Sequence, residues 1–406
     1  MRKLWLLALI SILATAALAQ VQLAELTPST RTSGDWFGAA VATDGNTIAV
    51  ADFDPNIEQF GAVYIYVKPS TGWTNSTETA KLVPSDNGIG FGTSIAMYGN
   101  VIVVGAAVTS NFANQAQTPG AVYVYVRPAQ GWYGTLTENA KITASDGQNG
   151  DAFGNSVSIY QSTIVAGAFF ANNFAGRAYV FTHSAGRWNQ VAELTATDGG
   201  LLSYLGSSVA ISGNTVVAGS EGQNNFQGAA YVFVKPSAGW TNMTQTAELT
   251  AAQGGSSGNL GFSVATNGST IVAGAPGAFS GNGAAFIYEE PSTGWVNTSS
   301  YNAVLGEPGS QQGTSFGQAV AMTTGGRNVM VGAPGVTVGS NLEQGAAYVY
   351  SEKSSGWTST RQATQLLASD GAAFDVFGAS VAIAGSTAVV GAPESNSPGA
   401  AYVFGP

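Results

Sequence analysis

The chain has no cysteine, one histidine (His183) and few charges of either sign, since Asp, Glu, Lys and Arg make up only 9% of its 406 residues. The lack of cysteine excludes disulfide staples, thiolate metal sites, Cys-His catalysis and a lipid anchor on an N-terminal cysteine. A lone histidine excludes a three-histidine zinc centre. Basic residues are scarcer than acidic ones, 13 against 23, and the formal net charge is −10. That balance argues against a nucleic-acid partner, which calls for a basic face. Past the first residues no apolar run nears the ~20 residues of a membrane-spanning helix. What the chain does have is 54 glycines and 45% hydrophobic residues that recur in register, which rules out a disordered polymer.

Residues 1–19 read as a leader. Arg2 and Lys3 supply positive charge, Leu4 to Leu13 are mostly apolar, and Ala17-Leu18-Ala19 offers a small-x-small cleavage site. Cleavage after Ala19 and export are expected, leaving residues 20–406 as one domain with net charge −12 (−10 − 2).

One pattern is written seven times. A Phe-Gly or Leu-Gly pair stands at Phe37, Phe91, Phe153, Leu205, Leu260, Phe316 and Phe377. A Gly-Ala-Tyr-Val-like element follows at Gly61, Gly120, Gly176, Gly228, Gly283, Gly345 and Gly399. Each copy holds four strand-length segments. The first is built of small residues, the second is β-branched and ends at glycine, and the third alternates valine with aromatics. The fourth follows a Pro-Ser-x-Gly-Trp turn and ends in Ala-x-Leu. Both faces of the middle segments are apolar, so each sheet must be packed between two others. A repeat of this size with four strands predicts an all-β, seven-bladed propeller of four-stranded antiparallel blades. The chain ends on a third strand, Gly399 to Phe404, and opens on a fourth-strand pattern, Val21-Gln22-Leu23-Ala24-Glu25-Leu26-Thr27. Residues 21–27 are therefore expected to pair with the last blade and close the ring, removing a free sheet edge.

With Phe-Gly and Gly-Ala-Pro both present (Gly274-Ala275-Pro276, Gly332-Ala333-Pro334, Gly391-Ala392-Pro393), the chain resembles the FG-GAP repeat family, which includes the propeller of integrin alpha chains, in a secreted bacterial-type variant. The resemblance implies a seven-bladed fold and the roles such propellers serve: adhesion, glycan binding and occasionally polysaccharide cleavage. Integrin-type repeats often carry an Asp-x-Asp-x-Asp-Gly calcium loop between the first two strands. Here that place holds tight turns such as Asp44-Gly45-Asn46 and Ser212-Gly213-Asn214, too poor in oxygen ligands for calcium. No cofactor or metal is expected, with calcium as the alternative although its usual family motif is absent.

In such a blade the loops entering the first strand and those joining the second to the third lie at one end. Fourteen of the 23 acidic residues fall there, with Arg31 and Arg177 as the basic residues to join them, so that end is expected to be acidic. Aromatics crowd the same loops, a combination that suits sugar rings or a protein partner. The residues singled out for ligand binding are Trp36, Asp35, Asp52, Phe53, Asp54, Glu58, Phe112, Phe170 and Phe226. Trp36 is the sharpest, because the matching positions hold Gly90, Ala152, Tyr204, Asn259, Ser315 and Val376. The repeated tryptophans (Trp73, Trp132, Trp188, Trp240, Trp295, Trp357) read as stereotyped packing, and Asn75, Asn242, Asn267 and Asn297 begin glycosylation sequons. His183 falls in a turn at the other end, which leaves a Ser-His-Asp triad without its base. The expected function is exported, non-catalytic recognition of a glycan or extracellular protein, secreted or at the cell surface, with the periplasm as a further location. The alternatives are a carboxylate-based polysaccharide lyase or hydrolase and a structural envelope or matrix protein.

Overall fold

The computed structural model describes residues 20–30, 36–53, 61–86, 88–107, 118–395 and 399–406. They form seven antiparallel sheets. From the axis outward, blade 1 is Phe37–Thr43, Thr47–Asp52, Ala62–Val67 and Ala80–Leu82. Blade 2 is Phe91–Tyr98, Val101–Ala106, Ala121–Val126 and Ala140–Ile142. Blade 3 is Val157–Tyr160, Thr163–Ala168, Arg177–Ser184 and Arg187–Thr195. Blade 4 is Leu205–Ser212, Thr215–Ser220, Ala229–Val234 and Ala247–Leu249. Blade 5 is Ser263–Thr266, Thr270–Ala275, Ala284–Glu289 and Ala303–Leu305. Blade 6 is Ala319–Met322, Asn328–Ala333, Ala346–Ser351 and Thr364–Leu366. Blade 7 takes Ser380–Ala384, Thr387–Ala392 and Ala400–Gly405 from one end of the chain and Val21–Leu26 from the other. In that closure Val21 faces Gly405 and Glu25 faces Tyr402, with an irregularity between Gln22 and Ala24. The expected ring and the expected closure are both present.

The core lies between blades. The second strands of blades 1, 4, 5 and 7 are buried at every residue, as apolar faces on both sides require. In five blades the Phe of Phe-Gly packs against the two aromatics of the third strand, as Phe37 does edge-on with Tyr64 and Tyr66 at 5.6 and 6.4 Å. Each such phenylalanine is fully buried, a gain of about 1.5–3 kcal/mol.

Near the axis the blades meet through backbone. A Cβ on Gly105, Gly167, Gly219, Gly274, Gly332 or Gly391 would stand 1.9–2.0 Å from a carbonyl oxygen of the next blade's Phe-Gly or Leu-Gly glycine. Glycine at the end of the second strand is thus a packing requirement. At five of these seams a first-strand serine donates to that same carbonyl: Ser94 to Gly154, Ser156 to Gly206, Ser208 to Gly261, Ser263 to Gly317 and Ser380 to Gly38, at 2.7–2.8 Å.

At the rim, the arm that joins the third strand to the fourth reaches back to the outer strand of the preceding blade. Gly134–Leu136 pairs in parallel with Ala80–Leu82, and Met243–Thr244 with Leu194 and Thr195. Two sheets therefore have five strands where four were expected. Three of the four sequon asparagines are part of this clasp. Asn75, Asn242 and Asn297 accept the outer-strand N–H groups of Glu25, Glu193 and Glu248 at 2.8–2.9 Å. Trp73, Trp132, Trp295 and Trp357 are buried beneath the arms, while Trp188 and Trp240 are half-buried. Among the described residues no helix is long and apolar enough to cross a membrane.

Candidate functional site

Isolated parallel bridges fix which loops share an end. Phe37 pairs with Gly399, Phe153 with Gly120, Leu205 with Gly176, Leu260 with Gly228 and Phe377 with Gly345. The loop entering a blade thus lies beside the second-to-third loop of the blade before it. Apart from Gln161 and Ala185, every described non-glycine residue with positive φ belongs to these two sets of loops. One reason is a turn that opens each blade, in which the N–H two residues past Phe or Leu returns to the carbonyl just before it. Ala39 reaches Trp36 and Ser207 reaches Tyr204, both at 3.0 Å. The glycine within the turn has φ of 85–100°, as position three of a type II turn demands. The residue that opens the turn is left-handed as well, at Ala152, Tyr204, Asn259, Ser315 and Val376 (φ 51–59°). For β-branched Val376 that is a strained conformation.

The second-to-third loops add a left-handed helical turn. In blades 3 and 4 it is written Asn-Asn-Phe, with Asn172, Asn173 and Phe174 at φ 54, 57 and 65°, and Asn224, Asn225 and Phe226 at 51, 56 and 64°. Blade 5 uses Phe279, Ser280 and Gly281. Asparagine tolerates this region and phenylalanine does not, at a cost of about 1–2 kcal/mol per residue. The strain is held by hydrogen bonds to the next entry loop: Tyr204 N–H to Phe174 O, Asn259 N–H to Phe226 O and Phe374 N–H to Leu342 O, at 2.8–3.0 Å. Four phenylalanines are therefore left-handed, and all four are exposed: Phe174 and Phe226 at 41%, Phe279 at 37% and Phe374 at 52%. Leu201, Leu202 and Leu342 are exposed in the same loops.

Over blades 3 and 4 these side chains gather round Tyr204. Its ring centre lies 6.0 Å from Phe169, 6.1 Å from Phe170, 6.3 Å from Phe174 and 6.4 Å from Phe226. Glu221 belongs to the same loop as Phe226. It is half-buried, takes no hydrogen bond from the described residues, and desolvation pushes its carboxyl up to about 7.

The other carboxylates of this end are mostly occupied. Asp86, Asp198 and Asp370 accept the hydroxyls of Tyr123, Tyr231 and Tyr402 at 2.6, 2.9 and 3.0 Å, and Glu307 accepts that of Tyr348 at 3.0 Å. Burial is the main cause that raises all four tyrosines above their ordinary range, with the nearby carboxylates adding to it. Burial alone would raise Asp86, but hydrogen bonds from Lys141 and Tyr123 hold it below the ordinary value. Lys141 pairs with Asp86 at 2.6 Å, Arg177 pairs with Asp146, and Arg361 bonds the Glu307 carbonyl at 3.0 Å. The expected near-absence of cations at this end is thereby corrected. Lys141 and Arg361 are long enough to reach it from outer strand and arm, and Asp86 and Asp146 are each paired with a cation on site. Glu343 and Glu394 remain exposed.

Of the residues singled out from sequence, Asp35, Asp54, Glu58 and Phe112 lie outside the described residues. Trp36 and Phe53 are half-buried beside the blade 1 entry. Asp52 is buried on the last position of its strand, opposite Phe37 and Ala62. Phe170 is half-buried and Phe226 exposed, both in the Tyr204 cluster. The selection reached Phe170 and Phe226 but not Leu201, Leu202 or Leu342, which no repeat position marks as unusual. His183 sits at the far end in a hairpin, its ring 5.0 Å from Trp188. Among the described residues no group of three His, Asp or Glu is placed to hold a metal ion.

A sequence model of the FG-GAP repeat matches residues 21–66, 76–125, 136–181, 188–233, 243–288 and 360–404. Each match runs from the outer strand of one blade through the third strand of the next, the same offset that closes the ring. No curated protein matches the chain. The matches cover well over half of the residues, and the chain belongs to the FG-GAP repeat family.

Proposed function

For an FG-GAP propeller, a fold suited to ligand recognition, we propose an exported, non-catalytic protein that binds a glycan or an extracellular protein on its loop end, at the cell surface or beyond it. Residues 1–19 serve as the leader and no metal takes part. The observation that carries this reading is the set Phe174, Phe226, Phe279 and Phe374, each both strained and exposed. Strain that folding does not require accumulates where function does. Exposed aromatic rings held by a bonded loop belt bind without ordering cost. The Tyr204 cluster is the centre of this surface, and Trp36 with Phe53 extends it to blade 1.

The test is a glycan and surface-protein binding screen, run with and without calcium, with Phe226→Ala and Tyr204→Ala as variants. Loss of at least about tenfold in affinity for either variant, without calcium dependence, supports the reading. Retention of every interaction by both variants overturns it. One observation favours a second reading. A carboxyl poised near 7, as at Glu221, suits a general acid in polysaccharide cleavage. Cleavage lost in Glu221→Gln supports that alternative.

A further inference from the structure

Five of the seven outer strands are covered by the arm of the following blade, and in four of them the cover has one chemistry. The middle residue of the Ala-x-Leu strand turns its N–H outward. A side-chain oxygen on the arm takes it: Asn75 from Glu25, Asn242 from Glu193, Asn297 from Glu248 and Ser359 from Val304, at 2.8–3.1 Å. The next arm residue then pairs with the strand in parallel, at Ser76, Met243, Thr298 and Thr360. Blade 1 is covered by Gly134–Leu136 in the same direction.

Blade 2 lacks this cover. Its neighbour, blade 3, joins third strand to fourth through Ala185 and Gly186 alone, both at positive φ, where blade 4 spends residues 235–246. No described residue pairs with the outer edge of Ala140–Ile142. The exposure agrees. The middle residue is half-buried at Glu25, Lys81, Glu193, Glu248 and Val304, and exposed at Lys141. Among the described residues none pairs with the outer edge of Thr364–Leu366 in blade 6 either, and Gln365 is exposed.

We infer that the outer edge of blade 2, at Ala140–Ile142, is a docking site for an extended peptide segment of a partner protein. The segment runs parallel to this strand and carries an Asn or Ser side chain to accept the Lys141 N–H. The five covered edges are the template, and their parallel direction decides the occupant. Two copies of this chain meeting edge to edge about a two-fold axis would pair antiparallel, unlike every cover in the ring. The edge is only three residues long, so affinity is modest and depends on main-chain bonds, as in β-strand addition. This site lies on the rim and is separate from the loop end.

The probe is a synthetic peptide with the sequence of residues 239–246, the arm that covers blade 3, added to the full chain. Saturable binding in the range of about 1 mM or tighter is expected, with slowed hydrogen exchange at the Lys141 amide. Lys141→Pro removes the outward N–H together with the side-chain ion pair to Asp86, a change of backbone that edge strands accept, and should weaken binding at least about tenfold with the fold intact. Lys141→Gln keeps the N–H and should bind as the parent does. Replacing Ala185-Gly186 with residues 235–246 supplies a cover in cis and should abolish binding, which keeps the test open should Lys141→Pro fail to fold. Absence of binding, equal binding by the grafted chain, or Lys141 protection that grows with protein concentration and no peptide would each overturn the inference, the last in favour of self-association.

Discussion

Two kinds of seam hold the ring at its axis. Six follow one rule, with glycine ending the second strand and the next blade's backbone against it. The seam between blades 1 and 2 breaks the rule, because Ala51 stands where the others have Gly105, Gly167, Gly219, Gly274, Gly332 and Gly391. A Cβ placed on the entry glycine measures the effect. At the other six seams it would lie 2.2–2.5 Å from the carbonyl behind it, and at Gly92 that distance is 3.8 Å. One methyl group holds this seam open by more than an ångström. The same seam lacks the serine bond, since Ala40 replaces serine. The two changes are linked: the Ser94 Oγ lies 2.3 Å from where a Cβ on Gly105 would stand, so alanine at that site excludes a serine hydroxyl. The open seam adjoins Phe53, whose Cβ lies 3.6 Å from where a Cβ on Gly92 would stand.

The comparison breaks most sharply at a regular seam. Gly219→Ala would force a Cβ to within 1.9 Å of the Gly261 carbonyl. We expect a loss of about 3 kcal/mol in chemical denaturation, the upper end for overpacking. Ala51→Gly, at the open seam, should cost less than about 1 kcal/mol, the ordinary penalty for glycine in a strand.

Next in size is Glu221, two residues beyond the seam glycine, where blades 5 to 7 have proline and blade 1 has Phe53. Its folded-state carboxyl sits at about 7 against an ordinary 4.5, so the folded chain holds the proton more tightly. The unfolded chain binds fewer protons between those values, and stability must fall as pH rises from about 4.5 to 7. Glu221→Gln should remove that slope and stabilise the protein at pH 8 by about 2 kcal/mol, as pH-dependent melting would record.

Smaller effects sharpen the comparison. Blade 6 has Ala319 at the serine position but keeps Gly332, so there is room for the hydroxyl. Ala319→Ser should add the missing bond to the Gly378 carbonyl and gain about 1 kcal/mol. Ala40→Ser alone should gain nothing, and only with Ala51→Gly should it become favourable. A double-mutant cycle on these two sites should show a coupling of about 0.5–1 kcal/mol, and additivity would refute the steric link.

The repeat made the ring readable because each copy shows the same small, β-branched and aromatic strands in the same order. The closing strand was readable for the same reason, as Val21 to Leu26 match an outer-strand pattern already seen elsewhere. The clasp was not. Asn75, Asn242 and Asn297 look like sequons, and their role depends on residues about fifty positions away in another blade. The recurring aspartates look like turn formers. Their tyrosine partners stand 32 to 37 positions off and are visible only once the strands are placed. At the loop end, composition pointed to aromatics, including Phe170 and Phe226. It could not show that Phe174, Phe226, Phe279 and Phe374 are left-handed, because that conformation belongs to the contact between one blade's entry loop and the second-to-third loop of the blade before it. The reach of Lys141 and Arg361 was hidden too, since side-chain length carries charge across an element whose position in sequence suggests otherwise.

The pairing of Val21–Leu26 with Ala400–Gly405 has a kinetic consequence. While the chain is being made, Val21–Leu26 waits without its sheet partner until Ala400–Gly405 has been synthesised, and blade 7 is completed only then. From then on neither of these two strands can be drawn away without breaking a sheet. Cutting the backbone in a single surface loop turns the circle into an arc of two fragments still joined at every other junction, so resistance to proteolysis should exceed what any one blade could provide alone.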